Sequence, residues 1–299
     1  MASPFQHPSA KRLLERLADH FAKGPVWLLP RNQLVFVCGG PVKEGETSVR
    51  KKFLSWANSN IDGFHFFVAE TAANDVISND EPKFLNLAQF EEMLAEVADC
   101  VVVIPESVGS WAETGLFAAI PRVQKKCLIL NCVSKQNDSF LNVGPIQTVN
   151  ERSNYRPTSV VDFSDEEPAF DVIADKLNRY ARRNRRRLEI SNFASLQGHE
   201  QFALVHYIVS LFPSIDLQSL TLTFKALFTR YRQERIKQLI SVLVSTKYLR
   251  RVPGDEIRVC AVAGGPQLVE IEGVTPSDLL TEHAEFFEKH APEFIPVVE

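Results

Sequence analysis

The sequence lacks the features that mark membrane, secreted and disulfide-bonded proteins. No apolar run approaches the ~20 residues that span a bilayer, and the first 30 residues lack the apolar core of a signal peptide. The five cysteines form no CxxC pair, and four of them lie within or beside apolar segments. We therefore predict small core cysteines in a reducing compartment, hence a cytoplasmic protein with no membrane association and no metal site.

The chain also lacks the composition of a disordered or repetitive protein. Hydrophobic residues make up 45% of its 299 residues and charged residues 23%, a balance typical of globular proteins. There is no internal repeat, and the one low-complexity segment is rich in arginine. Because a single hydrophobic core rarely grows past roughly 250–300 residues, this length favours two domains.

The net charge of −4 is unevenly distributed along the chain. Residues 176–187 hold seven basic side chains and no acidic one, so a basic segment interrupts an otherwise acidic protein. A second basic cluster follows at residues 230–251. Such clusters are typical of phosphate binding, although a solvated helix face is the alternative. The predicted nucleic-acid-binding residues are Arg182, Arg183, Arg185, Arg186, Arg187, Arg232, Arg235 and Lys237.

Apolar strands and amphipathic helices alternate through the first half of the chain. A lead-in helix over 9–22 lies in an N-terminal segment, 1–30. Strands are predicted at 33–38, 64–69, 100–104, 127–130 and 159–163, and helices at 48–57, 84–98 and 111–120. Uninterrupted apolar strands are typical of a parallel sheet that is buried on both faces. The pattern predicts a doubly wound α/β domain with a mainly parallel sheet over 31–170.

The second half is mostly helical. A long helix over 171–187 is predicted to open a basic linker that extends to residue 198. Helices over 200–211, 217–228 and 233–244 then precede two short strands around Pro253 and Gly254. This order predicts a smaller winged-helix domain within 199–299, with the third helix as its recognition helix and a C-terminal extension. A plain helical packing domain would give much the same pattern.

Two loops that follow predicted strands carry candidate binding groups. In open α/β sheets, ligands bind beyond the carboxyl ends of the strands. Gly39 and Gly40 follow the first strand, and glycines let backbone N–H groups approach a ligand closely. The motif is neither GxGxxG nor a P-loop, and a tight turn explains it equally well. Glu70 ends the second strand, where it could accept hydrogen bonds from ribose hydroxyls or be an ordinary loop acid.

The loop after the third strand carries the strongest signal. It brings Glu106, Ser110 and Glu113 to one strand end. A carboxylate there can act as a nucleophile, or stabilise an oxocarbenium-like sugar. The alternative is structural, because Ser110 and Glu113 fit the S-x-x-E pattern of a helix capping box. No histidine is an obvious catalyst. Trp111 lies inside the loop-to-helix turn, so it is the tryptophan most suited to stack on a base rather than only to pack in the core.

The motif around Glu113 resembles a known family. The segment from Gly109 to Gly115 matches the G-x-x-x-E-x-G turn that bears the nucleophilic glutamate of the nucleoside deoxyribosyltransferase-like superfamily. Together with FVCGG (36–40), PESVGSWAETGLF (105–117) and FLNVGP (140–145), it resembles the effector proteins of bacterial retrons. Those effectors join a deoxyribosyltransferase-like domain to a C-terminal winged helix. The resemblance is specific over about residues 31–150 and looser over 199–262.

The resemblance implies roles for individual residues. Glu113 would be the catalytic carboxylate, and Gly39, Gly40 and Ser110 would form the nucleotide-facing turns. Asp99, before the third strand, is a weaker match to an acidic residue of the transferases. Those transferases often carry another aspartate six residues before the nucleophile. Here Ser107 takes that place, with Glu106 beside it, and this departure favours hydrolysis over base exchange.

The resemblance also implies an antiphage function. Such effectors cleave NAD or related nucleotides at the N-glycosidic bond, and they are restrained by the retron reverse transcriptase and its branched RNA–DNA (msDNA). The resemblance thus predicts an N-glycosidase with NAD as substrate and no cofactor, and it leaves self-association in a higher-order assembly open. Two other functions stay open: a non-catalytic nucleic-acid-binding or nucleotide-sensing adaptor, and a nucleoside deoxyribosyltransferase of nucleotide salvage.

Overall fold

The computed structural model describes residues 4–30, 33–42, 45, 47–70, 87–253 and 257–296. These residues form two compact units. The sheet unit comprises the described residues of 33–70 and 87–183, and the helical unit comprises those of 4–30 and 184–296. The N-terminal segment is thus continuous with the C-terminal half in space, although the sheet unit separates them in sequence.

The secondary structure follows the alternation in the sequence. The helices are α1 (Ala10–Ala22), α2 (Val49–Asn60), α3 (Leu87–Val97), α4 (Val108–Ala119), α5 (Pro121–Gln124), α6 (Gln147–Arg152), α7 (Asp171–Tyr180), α8 (Gly198–Ser210), α9 (Leu217–Leu227), α10 (Gln233–Ser245) and α11 (Ser277–His290). The strands are β1 (Val26–Leu28), β2 (Gln33–Cys38), β3 (Phe64–Phe67), β4 (Cys100–Val103), β5 (Cys127–Cys132), β6 (Ser159–Val161), β7 (Arg186–Leu188), β8 (Ile215–Asp216), β9 (Leu249–Val252), β10 (Arg258–Ala261) and β11 (Val269–Ile271). A π-helical turn, Asn142–Ile146, precedes α6.

The sheet unit is built on five parallel strands in the order β3-β2-β4-β5-β6. Every residue of β2, β4 and β5 is buried, as expected for a parallel sheet that is covered on both faces. On one face, Phe53 of α2 packs edge-on against Phe66 and Phe170. On the other, the ring of Phe117 in α4 meets Phe36 of β2. The predicted α/β architecture with a parallel sheet is confirmed.

The register of this sheet brings three loops to one edge. Phe36 of β2 lies beside Phe67 of β3, and Cys38 lies beside Val103 of β4. The chain segments that follow β2, β3 and β4 therefore leave the sheet at the same carboxyl edge. Glycines 39 and 40, Glu70 and the loop from Ile104 to Ser107 all follow these strands.

The start of helix α4 differs from the sequence prediction. Helix α4 begins at Val108 rather than at Trp111, and its N-cap is Ser107, whose extended backbone and Oγ satisfy the N–H of Ser110 at 3.2 Å. Ser110 is the third helical residue and is fully buried. The predicted capping box between Ser110 and Glu113 is therefore wrong. Ser107 takes the cap because its backbone is extended, whereas Ser110 already has helical geometry.

Helix α7 ends at Tyr180 instead of continuing to Arg187. Ala181 leaves the helical conformation, with ψ of 133°. The N–H of Arg182 then donates to Oε1 of Gln33 at 3.0 Å. Further on, Arg186 opens strand β7. The helix predicted over the basic segment 176–187, called the arginine segment below, is wrong beyond Tyr180. Strand pairing and side-chain contacts outweigh the helix propensity of arginine there.

The helical unit contains two small antiparallel sheets. Strands β8, β10 and β9 form one in that order, and β11, β1 and β7 form the other. Helices α8, α9 and α10 match the three predicted helices to within two residues. The short strand β8 and the C-terminal helix α11 were not predicted. Helix α1 packs against α9 and α11, and its apolar residues Leu13, Leu17 and Phe21 are buried. Among the described residues, every helix is too short or too polar to cross a bilayer.

Candidate active site

Glu106 fixes the loops at the carboxyl edge of the sheet. Its Oε1 accepts from the backbone N–H groups of Gly40 at 2.7 Å and Arg50 at 2.9 Å, and its Oε2 accepts from that of Val49 at 2.7 Å. Val49 and Arg50 are the first residues of α2, whose N-terminal N–H groups have no partner within the helix. A carboxylate there also complements the positive end of the helix dipole. Glu106 thus joins the loops after β2 and β4.

The two glycines after β2 are required by this close packing. A Cβ on Gly40 would lie 2.8 Å from Cδ of Glu106, and one on Gly39 would lie 2.8 Å from Cβ of Arg50. Side chains at these positions would displace both groups. The structure therefore places both predicted glycines at the carboxyl edge, in contact with protein side chains.

Arg50 projects from the first turn of α2 into the same edge. Its side chain is only 4% exposed. Its guanidinium pairs with the carboxylate of Glu70 through both terminal nitrogens, one of them 3.1 Å from Oε2. Its Nε is buried and has no partner. The predicted residue Glu70 is thus brought to the site, held by a cation that the sequence analysis did not single out.

Glu113 extends from α4 toward this arginine. Its Oε2 is buried without a hydrogen-bond partner, so the carboxyl does not cap its own helix. Burial raises the pKa of Glu113 to about 7, and the negative charge of Glu91 contributes to the shift, while Arg50 opposes it. A buried acid that is half ionised near neutrality is a group that proteins use in catalysis.

Glu91 is the second buried acid, and the sequence analysis missed it. It lies on the core-facing side of α3, between the buried residues Phe90 and Met93. Burial raises its pKa, and the charge of Glu70 adds to the effect. The signal in the sequence was a glutamate on the apolar stripe of a helix, where an unpaired charge is costly.

Cys38 completes the surroundings of these acids. It is the last residue of β2 and is 1% exposed. Burial holds the pKa of its thiol well above the usual value, and the nearby charge of Glu113 adds to the shift. The thiol therefore stays protonated and is a weak hydrogen-bond donor to a neighbouring carboxylate.

Ser110 serves the loop that carries Glu106. Its Oγ accepts from the backbone N–H groups of Ser107 at 2.9 Å and Glu106 at 3.1 Å, and donates to the carbonyl of Ser107. Ser110 is fully buried, so these bonds fix the turn between β4 and α4. The structure thus brings Ser110 to the correct edge in a position that supports the loop.

Asp99 is not brought to this edge. It precedes β4 and therefore lies at the opposite, amino edge of the sheet. Its Oδ2 accepts from the N–H of Leu34 at 2.9 Å, and its Oδ1 lies 3.2 Å from Arg182. The length of a β-strand separates it from Glu106, so it does not share a ligand site with Glu113.

The arginine segment is extensively paired with neighbouring groups. Arg186 lies 3.2 Å from the buried carboxylate of Glu200, and Arg187 lies 3.5 Å from Glu189. Arg185 contacts Glu272 and stacks over the ring of Trp27, with 4.2 Å to the centroid. The other residues predicted to bind nucleic acid also contact protein groups: Arg182 with Asp99, Arg183 with the carbonyl of Asn178, Arg235 with Gln201 and Lys237 with Glu234. Arg232 is an exposed residue at the start of α10.

The arrangement at the carboxyl edge can hold and attack a sugar. Three carboxyl groups, Glu70, Glu91 and Glu113, surround a single guanidinium, so at least one acid can remain protonated near neutrality. Carboxyl groups can accept bonds from ribose hydroxyls, and an ionised one can stabilise positive charge at an anomeric carbon. Within the described ranges, no three histidine, cysteine or acidic side chains are arranged to bind a metal ion.

Comparison with known proteins identifies the family of the chain. The family model of the STM3845 retron effector protein matches residues 46–251. The chain is 24% identical over 240 residues to the "Retron Ec73 putative ribosyltransferase/DNA-binding protein" of Escherichia coli, covering 73% of this chain and 74% of the relative. It is 28% identical over 114 residues to the corresponding Escherichia coli protein of retron Ec86, covering 38% of this chain and 36% of the relative. The match to the family model covers more than half of the chain, including residues 70, 91, 106 and 113, and the chain therefore belongs to the STM3845 retron effector family.

Proposed function

We propose that this retron effector is an N-glycosidase that hydrolyses NAD at the nicotinamide–ribose bond and acts as a toxin in antiphage defence. The observation that carries the proposal is the carboxyl group of Glu113, which is buried at the carboxyl edge of a parallel sheet with Oε2 unpartnered. The relatives' names describe ribosyltransferases, which act on bonds of the same kind. The sheet order and the G-x-x-x-E-x-G turn support a deoxyribosyltransferase-like domain.

In this mechanism ionised Glu113 faces the anomeric carbon of the nicotinamide ribose. The C1′–N bond breaks, and its electron pair goes to the pyridinium ring, which leaves as neutral nicotinamide. The leaving group needs no proton, so the site requires no strong general acid. The positive charge that develops on the sugar is stabilised by the Glu113 carboxylate or captured by it as an ester. Water then adds to C1′, gives up a proton, and ADP-ribose is released.

The surrounding acids have separate roles. Glu70 is 46% exposed and can accept hydrogen bonds from ribose hydroxyls while Arg50 holds it in place. In this proposal Glu91, whose pKa is raised by burial, accepts the proton that the attacking water loses. Glu106, with Gly40 and Ser110, positions the loops. NAD is the substrate, and the mechanism requires no cofactor.

Nicotinamide release by the purified chain, alone and with its retron partners, tests the proposal. Glu113→Gln should reduce the rate by about a thousandfold or more, because it removes the charge that is needed in the transition state. Glu92→Gln is the matched control, since Glu92 lies on α3 beside Glu91 but pairs with Arg122 at 2.6 Å. Release by the Glu113→Gln chain at the parental rate would refute the assignment.

We further propose that the helical unit binds nucleic acid as a winged helix. The order α8-β8-α9-α10-β9-β10, with β8, β10 and β9 in one antiparallel sheet, supports this, and the relatives' names include DNA binding. Helix α10, which begins beside Arg232, would be the recognition helix. The retron reverse transcriptase and its branched RNA–DNA are the proposed restraining partners. Co-purification of both with the chain would support this, and activity that is unaffected by them would contradict it.

A further inference from the structure

The carboxyl edge of the sheet has a second half that the hydrolytic mechanism does not use. It lies beyond the ends of β4 and β5 and is apolar and aromatic rather than acidic. Val108 and Trp111 in the first turn of α4 are 76% and 41% exposed, and Phe140, before the π-helical turn, is 83% exposed. Exposed apolar groups that cluster beside an active site commonly mark a binding surface.

The indole of Trp111 is fixed in place. Its Nε1 donates to the carbonyl of Pro105 at 3.0 Å, so the ring is tied to the loop at the end of β4, and the residue is still 41% exposed. The Nζ of Lys135 lies 5.5 Å from the ring centroid. A restrained aromatic ring beside an ammonium group combines a stacking surface for a base with a charge for a phosphate.

Lys135 is also held by its backbone. It ends the short turn Val133–Lys135 that follows β5. Its carbonyl accepts from Nδ2 of Asn142 at 2.6 Å, and Oδ1 of Asn142 accepts from the buried Asn131 at 3.0 Å. The backbone of the turn that carries Lys135 is thus anchored to β5 at this edge.

The charges of the edge are divided between its two halves. Glu70, Glu91 and Glu113 lie around Arg50 in one half, where the three acids together would repel a phosphate. Lys135 and Trp111 occupy the β4 and β5 side. Strand β5 lies two strand spacings from β2, about 10 Å. A dinucleotide can place its two halves at such a separation. A substrate with a positive ring at one end and a diphosphate and base at the other matches this division.

We infer that Trp111 and Lys135 form a subsite for the adenosine diphosphate half of the substrate, with the adenine stacked on the indole and the diphosphate beside the ammonium group. This inference rests on the proposed function and names the residues that would recognise the adenylate half of NAD. The subsite selects NAD over nicotinamide mononucleotide, which lacks the adenylate half, and over deoxynucleosides.

Equilibrium binding of ADP to the whole chain by titration calorimetry tests the subsite without turnover. Trp111→Ala should weaken binding by about tenfold or more, because a base–aromatic stack is lost. Trp111→Phe should retain most of the affinity. Lys135→Ala should weaken binding by about fivefold at low salt and less at high salt. Lys125→Ala, an exposed lysine before β5 at the opposite edge, is the matched control and should leave binding unchanged.

Nicotinamide release from NAD and from nicotinamide mononucleotide separates this inference from the proposed function. The parent should favour NAD in kcat/KM, and Trp111→Ala should remove that preference mainly through KM. ADP binding that depends on Trp111, with no release from either substrate, would refute the hydrolase and leave the subsite standing. Equal release from both substrates, together with ADP binding that is absent or independent of Trp111, would overturn the subsite and leave the hydrolase standing.

Discussion

The two charged regions of this protein are built in opposite ways. At the carboxyl edge of the sheet, three acids share one arginine, and buried atoms of Glu113 and Arg50 have no partner. In the arginine segment, by contrast, charges that are conspicuous in the sequence contact carboxylates, a carbonyl or an aromatic ring. Charge that is buried without full compensation costs stability, so its presence indicates a function. Charge that is compensated can be structural.

The largest expected effect on stability concerns Glu106, whose two oxygens accept three backbone hydrogen bonds. Glu106→Ala leaves the N–H groups of Gly40, Val49 and Arg50 without their acceptor, and each buried unpaired group costs about 1–3 kcal/mol. We expect a loss of about 3 kcal/mol, measured as a lower urea midpoint for the sheet unit. Exposed Glu151→Ala is the control. An unchanged midpoint would show that Glu106 does not stabilise the sheet unit.

Glu113→Gln is expected to have a smaller effect on stability, which depends on pH and is stabilising. The pKa of Glu113 is raised to about 7 from an ordinary value of 4.5, so the folded state favours the protonated acid. That stabilisation is complete when the pH is below the pKa of Glu113 in the unfolded chain. It is lost as the pH rises through the pKa of Glu113 in the folded chain. Glu113→Gln should therefore stabilise the chain by roughly 2 kcal/mol above pH 7 and have little effect near pH 4.

Urea unfolding of the parent and the Glu113→Gln chain across that pH range checks this result. Glu92→Gln provides the control on α3, since the same carboxylate-to-amide change is made at a group paired with Arg122. A Glu113→Gln chain that is less stable than the parent at pH 8 would mean that the carboxylate is fully compensated, and the contrast with the arginine segment would disappear.

The smallest effects are expected in the arginine segment. Arg187 is 60% exposed and pairs with Glu189, which is 81% exposed, so Arg187→Ala should change stability by no more than about 0.5 kcal/mol. Arg186→Ala should cost more, about 1 kcal/mol, because its partner Glu200 is only 5% exposed. Thermal unfolding of the two variants checks this order, and the reverse order would contradict the pairing.

The same two variants test the proposed binding of nucleic acid. If Arg187 contacts a phosphate, its removal should lower the salt slope of binding to structured RNA or DNA by about one unit. Arg186→Ala should lower the salt slope by less, because Glu200 competes with a phosphate for Arg186. If neither variant changes the salt slope, Arg186 and Arg187 pair with protein carboxylates and do not contact phosphates.

The sequence predicted the sheet well and the helix boundaries less well. Strands of continuous apolar residues, such as 100–103, must be buried, and their uninterrupted hydrophobicity identified them. The start of α4 was misplaced because Ser107 and Ser110 are equally good caps in sequence, and only the extended backbone at Ser107 decides between them. The end of α7 was missed because arginine favours a helix, whereas Gln33 and strand β1 hold the segment in another conformation.

The candidate site divides in the same way. Glu70, Glu106 and Glu113 could be predicted because each follows a strand or opens a helix at the carboxyl edge of the sheet. Asp99 was assigned to the same site although it precedes its strand, and the structure places it at the opposite edge. Arg50 and Glu91 were missed, because their importance depends on what faces them across the fold.

The sequence by itself determined the parallel α/β sheet, the edge at which its loops meet and the family of the chain, since these depend on the order and periodicity of residues. Only the tertiary structure decided which charged groups are compensated. Compensation depends on distances between residues far apart in sequence, such as Gly40 and Glu106 or Arg186 and Glu200, and no local pattern encodes those distances.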